Sequence, residues 1–385
     1  MFLPSGEQRL ATILKHDTKT TSYKIALLRA INDVVLLYPA IQGQDVAVPL
    51  SRLAELWVAY YWPFADAQAP IYQGGRASRG EADSVRNDVG FRPALTQLRL
   101  IWEELVQLPP QPADGFFLLT EMRTPRRRAT YPVTLQQAYQ QTVAAMTKAL
   151  QMPIKYAGPG EWAVFDRPRR YGQLTGVAGL PDTQLTDLCV VVSASLWEAF
   201  QRLSLYVEAL CLHEWALFTE QVKQDREIDR GFIYSLLTAR PDNRRPLSWE
   251  RNQIDILLHE QVAFTCPWTL KRLTQPQHYD LDHLLPLAVY PVNELWNLLP
   301  VDRTFNQHVK RDKVPDSGRL AAAEPWLAAA YATYLRAPAL QRAVREDAAL
   351  RFTGLGEEAS FAPALANRAV RFIDAVAAAR YVQRF

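Results

Sequence analysis

One stretch of this 385-residue chain gathers, in order, residue types able to do acid–base and metal chemistry. It reads Tyr279-Asp280-Leu281-Asp282-His283-Leu284-Leu285-Pro286, then Leu295-Trp296-Asn297-Leu298-Leu299-Pro300, then Phe305-Asn306-Gln307-His308-Val309-Lys310-Arg311-Asp312-Lys313-Val314-Pro315. The first piece alternates as a short strand does and ends in an acid and an imidazole. A loop follows, then Asn297, then a helix capped by Asp302. On that helix Phe305 and Val309 form an apolar i, i+4 pair, and Asn306 and Lys310 a polar one on another face. A carboxylate, an amide oxygen and a neutral imidazole are the set needed to hydrolyse a phosphodiester with a single hard cation. The oxygens hold Mg²⁺ and the imidazole deprotonates the attacking water. Lys310 or Arg311 is available to neutralise charge building up on the phosphate.

The order DxDHxxP, then NLLP, then N…KxDKxP resembles the HNH nuclease family, also called the ββα-metal nucleases. The form is that of Cas9-like nuclease domains and many bacterial restriction and defence nucleases, and it covers about Cys266–Asp316. The resemblance implies Mg²⁺ or Mn²⁺ as cofactor, His283 as general base and Asp282 as a metal ligand. It implies Asn297 as the middle Asn that steadies the loop and the His, and Asn306 as the second metal ligand; Lys310 joins the catalytic set through the charge it can offer a phosphate. Duplex DNA is the implied target. One ββα site cuts one strand at a time, so double-strand cleavage needs a homodimer or two successive events.

Two departures stand out. The paired CxxC knuckles that brace many family members with zinc are missing, and only Cys266 remains, so no structural zinc is expected. Bracing then falls to packing by Trp268, Leu281, Trp296 and Phe305. Four positions separate Asn306 from Lys310 where three are expected, which makes His308 a rival second ligand. Two positions turn about 200° at 3.6 residues per turn, so one helix cannot offer both; Asn306 is favoured.

Other candidates carry less. His213-Glu214 and His259-Glu260 begin like HExxH but lack the second His. His278 precedes the Asp-His strand and reads as a hairpin-turn residue. Gly74-Gly75 with Arg76 and Arg79 is basic but lacks the Lys-Ser/Thr of a phosphate loop. The densest basic clusters are Arg123 with Arg126, Arg127 and Arg128, and Arg167 with Arg169 and Arg170. Both adjoin aromatics (Tyr131, Tyr171). Each reads either as a nucleic-acid backbone contact or as a solvated loop. Arg311 lies beside the site itself.

The elements that must position this set read as a mainly helical α+β chain, with the ββα-metal (HNH) module embedded between helical regions. Four regions are expected. Residues 1–110 form a helical domain, read as a piece of a helical bundle with a winged-helix-like reader as the alternative: Ser22 caps one helix, Val46–Val48 is strand-like, and Ser51 caps a second helix. Residues 111–255 are mixed, after the proline-rich joint at 108–112. They hold a strand at Gly115–Thr120, a helix at Leu135–Leu150, a strand at Leu188–Val192 and a capping signal at Ser195-x-x-Glu198. Residues 256–318 are the nuclease module. Residues 319–385 are Ala-rich helices broken at Pro325 and Pro338, with charges such as Arg342, Arg345 and Glu346 forming a solvated face.

Composition sets the limits. Apolar residues are 49% and charged residues 22%, a folded composition rather than a disordered one. The net charge of +3 argues against binding nucleic acid by bulk charge. Arg supplies 34 of the 43 basic residues, which suits bidentate phosphate contacts and equally a GC-rich coding bias. Three scattered cysteines imply no disulfide framework, and no stretch reaches the roughly 18 apolar residues of a membrane span. A cytoplasmic protein is expected, with DNA and a protein partner or second copy as its partners and no membrane. A different class remains beside the enzyme: a nucleic-acid-binding or sensor subunit whose HNH module is inactive or autoinhibited until a partner engages.

Overall fold

Apolar residues at three- and four-residue steps underlie the main helices, and the strands are short, with β-branched runs in Val46–Pro49 and Leu188–Val192. The computed structural model describes residues 5–385 apart from 75–77, 80–84, 87, 108, 159–163, 240–246, 288, 290–292, 353 and 356–359. The chain divides into two compact units, Met1–Met122 with Arg127–Arg240, and Arg123–Arg126 with Pro241–Phe385. It is a mainly helical α+β protein with small sheets.

The first unit is built around the helix Tyr23–Leu37, which is buried on almost every face. Ser22 stands at its start but does not cap it; its hydroxyl pairs with Tyr61 Oη at 2.8 Å. The strand Val46–Pro49 is central in a four-stranded sheet. It runs antiparallel to Leu188–Val192 (Val46 opposite Val192, Pro49 opposite Cys189) and parallel to Ala178–Gly179, with Arg169–Arg170 on the far edge. The helix Leu50–Tyr61 follows directly, starting one residue before the expected cap at Ser51. Leu53, Leu56, Trp57, Tyr60 and Tyr61 are all buried, which leaves Ser51, Arg52 and Glu55 as the solvent side of this helix.

Three further expectations need correction. Gly115–Thr120 is not a strand but part of the helix Asp114–Arg123. An unbroken apolar run cannot by itself distinguish the two, and here a helix lets Leu118, Leu119 and Met122 reach the core. Gly115 permits the approach, since a Cβ there would lie 2.7 Å from Trp62 Cβ. The Ser195-x-x-Glu198 box does not form; the helix Ala194–Gln221 begins after Ser193, with no side-chain cap. Finally, the proline-rich joint does not separate two bodies. Trp102 before it and Leu118, Met146 and Val190 after it lie in one continuous core that extends to Leu237. Leu108 of that joint lies outside the described residues.

The second unit carries the chemistry-bearing stretch. After the helix Ser248–His259 comes a tight hairpin, Phe264–Thr265 with Arg272–Leu273. The strands Tyr279–His283 and Leu298–Asp302 pair antiparallel, His283 opposite Leu298 and Tyr279 opposite Asp302. Asp302 then caps the next helical turns by accepting from Phe305 N at 3.0 Å. Helices Ser317–Tyr334, Pro338–Arg351 and Phe361–Ala379 complete the unit. Pro325 does not break the first of these. It and Ala321, whose carbonyl it cannot serve, are both exposed, where solvent is available to that oxygen.

Asp302 joins both halves of the ββα segment, because Lys271 of the preceding hairpin pairs with it at 2.8 Å. That hydrogen bond holds its carboxyl below the ordinary value of 3.8. A depressed folded pKa contributes stability that is present above the unfolded value and is lost as pH falls through the folded one. Asp302→Ala should therefore destabilise the chain by about 1 kcal/mol through the lost cap. The deficit against wild type, followed by thermal melting, should be full at pH 7 and should shrink as the pH is lowered below the usual carboxylate range. A deficit independent of pH would show that the carboxylate's charge does not contribute.

Candidate functional site

Asp280 and Asp282, two positions apart on the strand Tyr279–His283, share one of its faces but find different partners. Asp280 accepts from Arg303 Nε at 3.0 Å and from Gln307 Nε2 at 3.2 Å, so both its oxygens are engaged. Asp282 is buried and meets the ammonium of Lys310, at 3.1 Å from Oδ1 and 2.9 Å from Oδ2. Only the Oδ1 contact has hydrogen-bonding geometry; Oδ2 is a buried oxygen without a hydrogen-bond donor. Burial pushes the Asp282 carboxyl up to about 6, against the downward pull of Lys310.

His283 is half-buried, and its Nε2 lies 2.7 Å from Asn293 Oδ1. Burial lowers its pKa, Asn293 opposes that, and the charge on Lys310 adds to the lowering. A lowered pKa keeps the ring neutral at neutral pH. With an amide oxygen facing Nε2, that nitrogen carries the proton and Nδ1 is left as the accepting nitrogen.

Asn297 is fully buried. Its Oδ1 accepts from Leu285 N at 2.8 Å and its Nδ2 donates to Leu285 O at 3.0 Å, the two bonds a neighbouring strand would make. Its own carbonyl accepts from Leu284 N at 2.8 Å. It touches backbone on the side away from solvent, so its place is that of a positioning residue and not one that meets substrate.

Asn306 is half-buried, and its carboxamide makes no hydrogen bond among the described residues. His308 is exposed. The four-position step from Asn306 to Lys310 has a structural counterpart. Residues Asn306–Lys310 form a π-helical turn, closed by Arg311 N donating to Asn306 O at 2.9 Å across five residues. One extra residue is absorbed in the turn, and Lys310 still reaches Asp282. Its side chain is only 1% exposed, so the expected contact with a phosphate is not made in this conformation. Arg311 is exposed.

A metal can be tested against these donors. Asp282 Oδ2 and the Asn306 carboxamide are hard oxygen donors without a hydrogen-bonding partner, and Mg²⁺ and Mn²⁺ take such oxygens. The residues fit a divalent ion of that kind. Among the described residues, no group of three or more His, Cys, Asp or Glu side chains gathers, here or elsewhere.

Of the arginines expected to bind nucleic acid, two are engaged internally. Arg126 grips Asp347 with both terminal nitrogens, at 2.6 and 3.2 Å, and Arg127 is buried beside Glu121. Arg128 is exposed, donating to Met122 O, and Arg169 and Arg170 are exposed on their edge strand. Gly75 and Arg76 lie outside the described residues.

Several supporting residues gave no signal in the sequence. Asp347, in a helix read only as a solvated face, accepts from Leu295 N at 2.8 Å. Glu294 accepts from Trp296 Nε1 and pairs with Arg351 at 2.7 Å. The hydroxyls of Tyr331 and Tyr334 donate to Trp296 O and Leu298 O at 2.5 and 2.8 Å. Bracing near Cys266 comes from Phe385, whose ring meets Trp268 at 5.8 Å and Phe305 at 5.6 Å. Glu294 lies within the motif segment but matches no motif position, and the others lie far from the site in sequence.

Residues 266–316 match the family model described as HNH endonuclease, so the ββα segment is an HNH domain. Residues 5–237, more than half of the chain, match the family described as Domain of unknown function (DUF8808), and the chain belongs to that family. No curated protein and no solved structure matches it. Among the described residues, no helix is long and apolar enough to cross a membrane.

Asn297→Ala would leave the N–H and the C=O of Leu285 unsatisfied in a dry environment. The expected cost is about 2–4 kcal/mol, measured by denaturant unfolding of the full chain. Asn297→Asp, which keeps the acceptor and loses the donor, should recover part of it. Equal, negligible effects of the two would mean that Asn297 does not hold the loop.

Proposed function

We propose that the chain is a metal-dependent HNH endonuclease that hydrolyses phosphodiester bonds in DNA, nicking or cutting it. The observation that carries this reading is the pairing of a neutral, oriented imidazole with a buried carboxylate one residue away on the same strand. His283, held through Nε2 by Asn293, takes a proton from the attacking water on Nδ1. The water oxygen forms its bond to phosphorus as the bond to the leaving sugar oxygen breaks. Asp282 and Asn306 are the residues that would hold Mg²⁺ or Mn²⁺, with His308 the rival for the second place. Such an ion supplies positive charge to the oxyanion that develops. Asn297 keeps the loop and the His283 strand end in register. Arg311, and the exposed Arg128, Arg169 and Arg170, are the candidates for phosphate contacts.

Duplex DNA is the substrate we favour, by the resemblance of the motif, with a homodimer or two successive events for double-strand cleavage. A restriction or anti-phage role is the setting to which the reading extends. One observation favours a second reading, in which the module stays inactive until a partner engages: Lys310 already sits on Asp282.

Supercoiled plasmid with Mg²⁺ or Mn²⁺ tests the first reading. His283→Ala should lose roughly 10²-fold or more in nicking rate, the range general-base removal produces. Asn306→Ala should lose metal-dependent activity while His308→Ala keeps most of it. Equal activity of wild type and His283→Ala would mean that the site is misassigned. Equal inertness, with and without candidate partners, would remove the enzyme reading.

A further inference from the structure

The ammonium of Lys310 lies among four oxygens: Asp282 Oδ2 at 2.9 Å, Asp282 Oδ1 at 3.1 Å, His283 O at 2.9 Å and Arg311 O at 3.5 Å. An ammonium has three N–H donors, so this cage offers more acceptors than the side chain can serve. That accounts for Asp282 Oδ2 being close to the charge yet outside hydrogen-bonding geometry. A ring of oxygens around one positive charge is what a hard divalent cation also selects. Both charges cannot occupy it together, because two cations a few ångströms apart in a buried site repel strongly.

The backbone adds a second observation. Lys310 ends the π-helical turn, and Arg311 directly after it has φ 47° and ψ −126°, a conformation a residue with a side chain rarely takes. The inward position of Lys310 thus coincides with a strained link directly after it.

We propose that Lys310 is a tethered cation filling the metal-binding oxygens of the HNH domain, and that a divalent ion enters by exchange with it. On exchange the ion takes Asp282, the ammonium leaves the cage, and the π-turn is free to relax. Lys310, now beside Arg311, then becomes available to an anionic phosphate. No bond is made or broken in the step. This inference rests on the reading of Asp282 as a metal ligand.

The test is Mn²⁺ affinity of the full chain without nucleic acid, from the free Mn²⁺ signal in electron paramagnetic resonance. Lys310→Met keeps the length of the side chain and removes its charge, and it should bind Mn²⁺ tenfold or more tighter than wild type. Its melting temperature should also rise more on adding Mn²⁺ than that of wild type does. Arg311→Gly, which removes the strain of the inward state, should act oppositely and weaken Mn²⁺ binding several-fold. Asp282→Ala should abolish the binding. If Asp282→Ala abolishes it but Lys310→Met binds no tighter than wild type, the exchange is wrong and the metal site stands. If Asp282→Ala binds Mn²⁺ as wild type does, the metal assignment falls and the exchange with it. Should Lys310→Met fail to fold, Arg311→Gly decides alone, and unchanged or tighter binding there overturns the exchange.

Discussion

A carboxylate taken out of water must find a charge or a metal, and Asp282 is buried at the centre of the ββα segment. Lys310 answers it from the far end of the helical turn, and the same ammonium bonds to His283 O. This one contact ties the strand that carries the acid and the imidazole to the turn that carries Asn306. Separated, the strand would leave a buried charge uncompensated and the turn would lose its anchor. The π-helical winding follows from that constraint. With one residue too many between Asn306 and Lys310, an ordinary helix would rotate the ammonium away from the strand, and the wider turn returns it.

The surroundings are arranged to keep this pair in place without a zinc knuckle. Trp296 lies between Phe352 and Phe372, edge-on to both, and its backbone carbonyl is held by Tyr331. Asp347 binds Leu295 N and Arg126 together, so one buried carboxylate fixes the approach to Asn297. On the other side, the chain after the last helix returns to the module. Val314 N donates to Gln383 O at 3.0 Å and Phe385 N to Val314 O at 3.1 Å, which seats the Phe385 ring between Trp268 and Phe305. Aromatic packing and backbone pairing here do what coordination bonds do in a zinc-braced module. They do so with residues gathered from across the unit, which explains why a CxxC pair is dispensable.

Much of the site was legible because its chemistry is local in sequence. Asp282 and His283 are adjacent, Asp302 stands where a cap must stand, and Asn297 is read from its place before a short strand. The regular elements with clear periodicity were equally legible: the expected helix at Leu135–Leu150 lies within Val133–Lys155, and the strand Leu188–Val192 is found as expected. What was not legible depends on tertiary neighbours. Gly115–Thr120 is apolar enough for either element, and only the close approach to Trp62 selects the helix. Ser22 and Ser195 carry the right residue type for a cap, but Ser22 finds a better partner in Tyr61, and the helix near Ser195 begins two residues early, with Ser193 at the cap position. Spacing alone also could not show that Lys310 faces inward, since its direction depends on a π-turn that no pattern announces.

The arginine excess takes a clearer meaning from these contacts. Arg99 bridges Asp66 and Glu103, Arg126 holds Asp347, Arg127 is buried with Glu121, and Arg351 closes on Glu294. Each is a planar guanidinium meeting carboxylates or backbone oxygens inside the protein, a task for which lysine's point charge is poorly shaped. A share of the basic residues is therefore spent on architecture, and the charge left for a polyanion is smaller than the count suggests. With a net charge of +3, long-range attraction to nucleic acid is weak. Under the nuclease reading proposed above, contact with a phosphate would rest on exposed arginines, and Arg311 is the one that follows Lys310 directly.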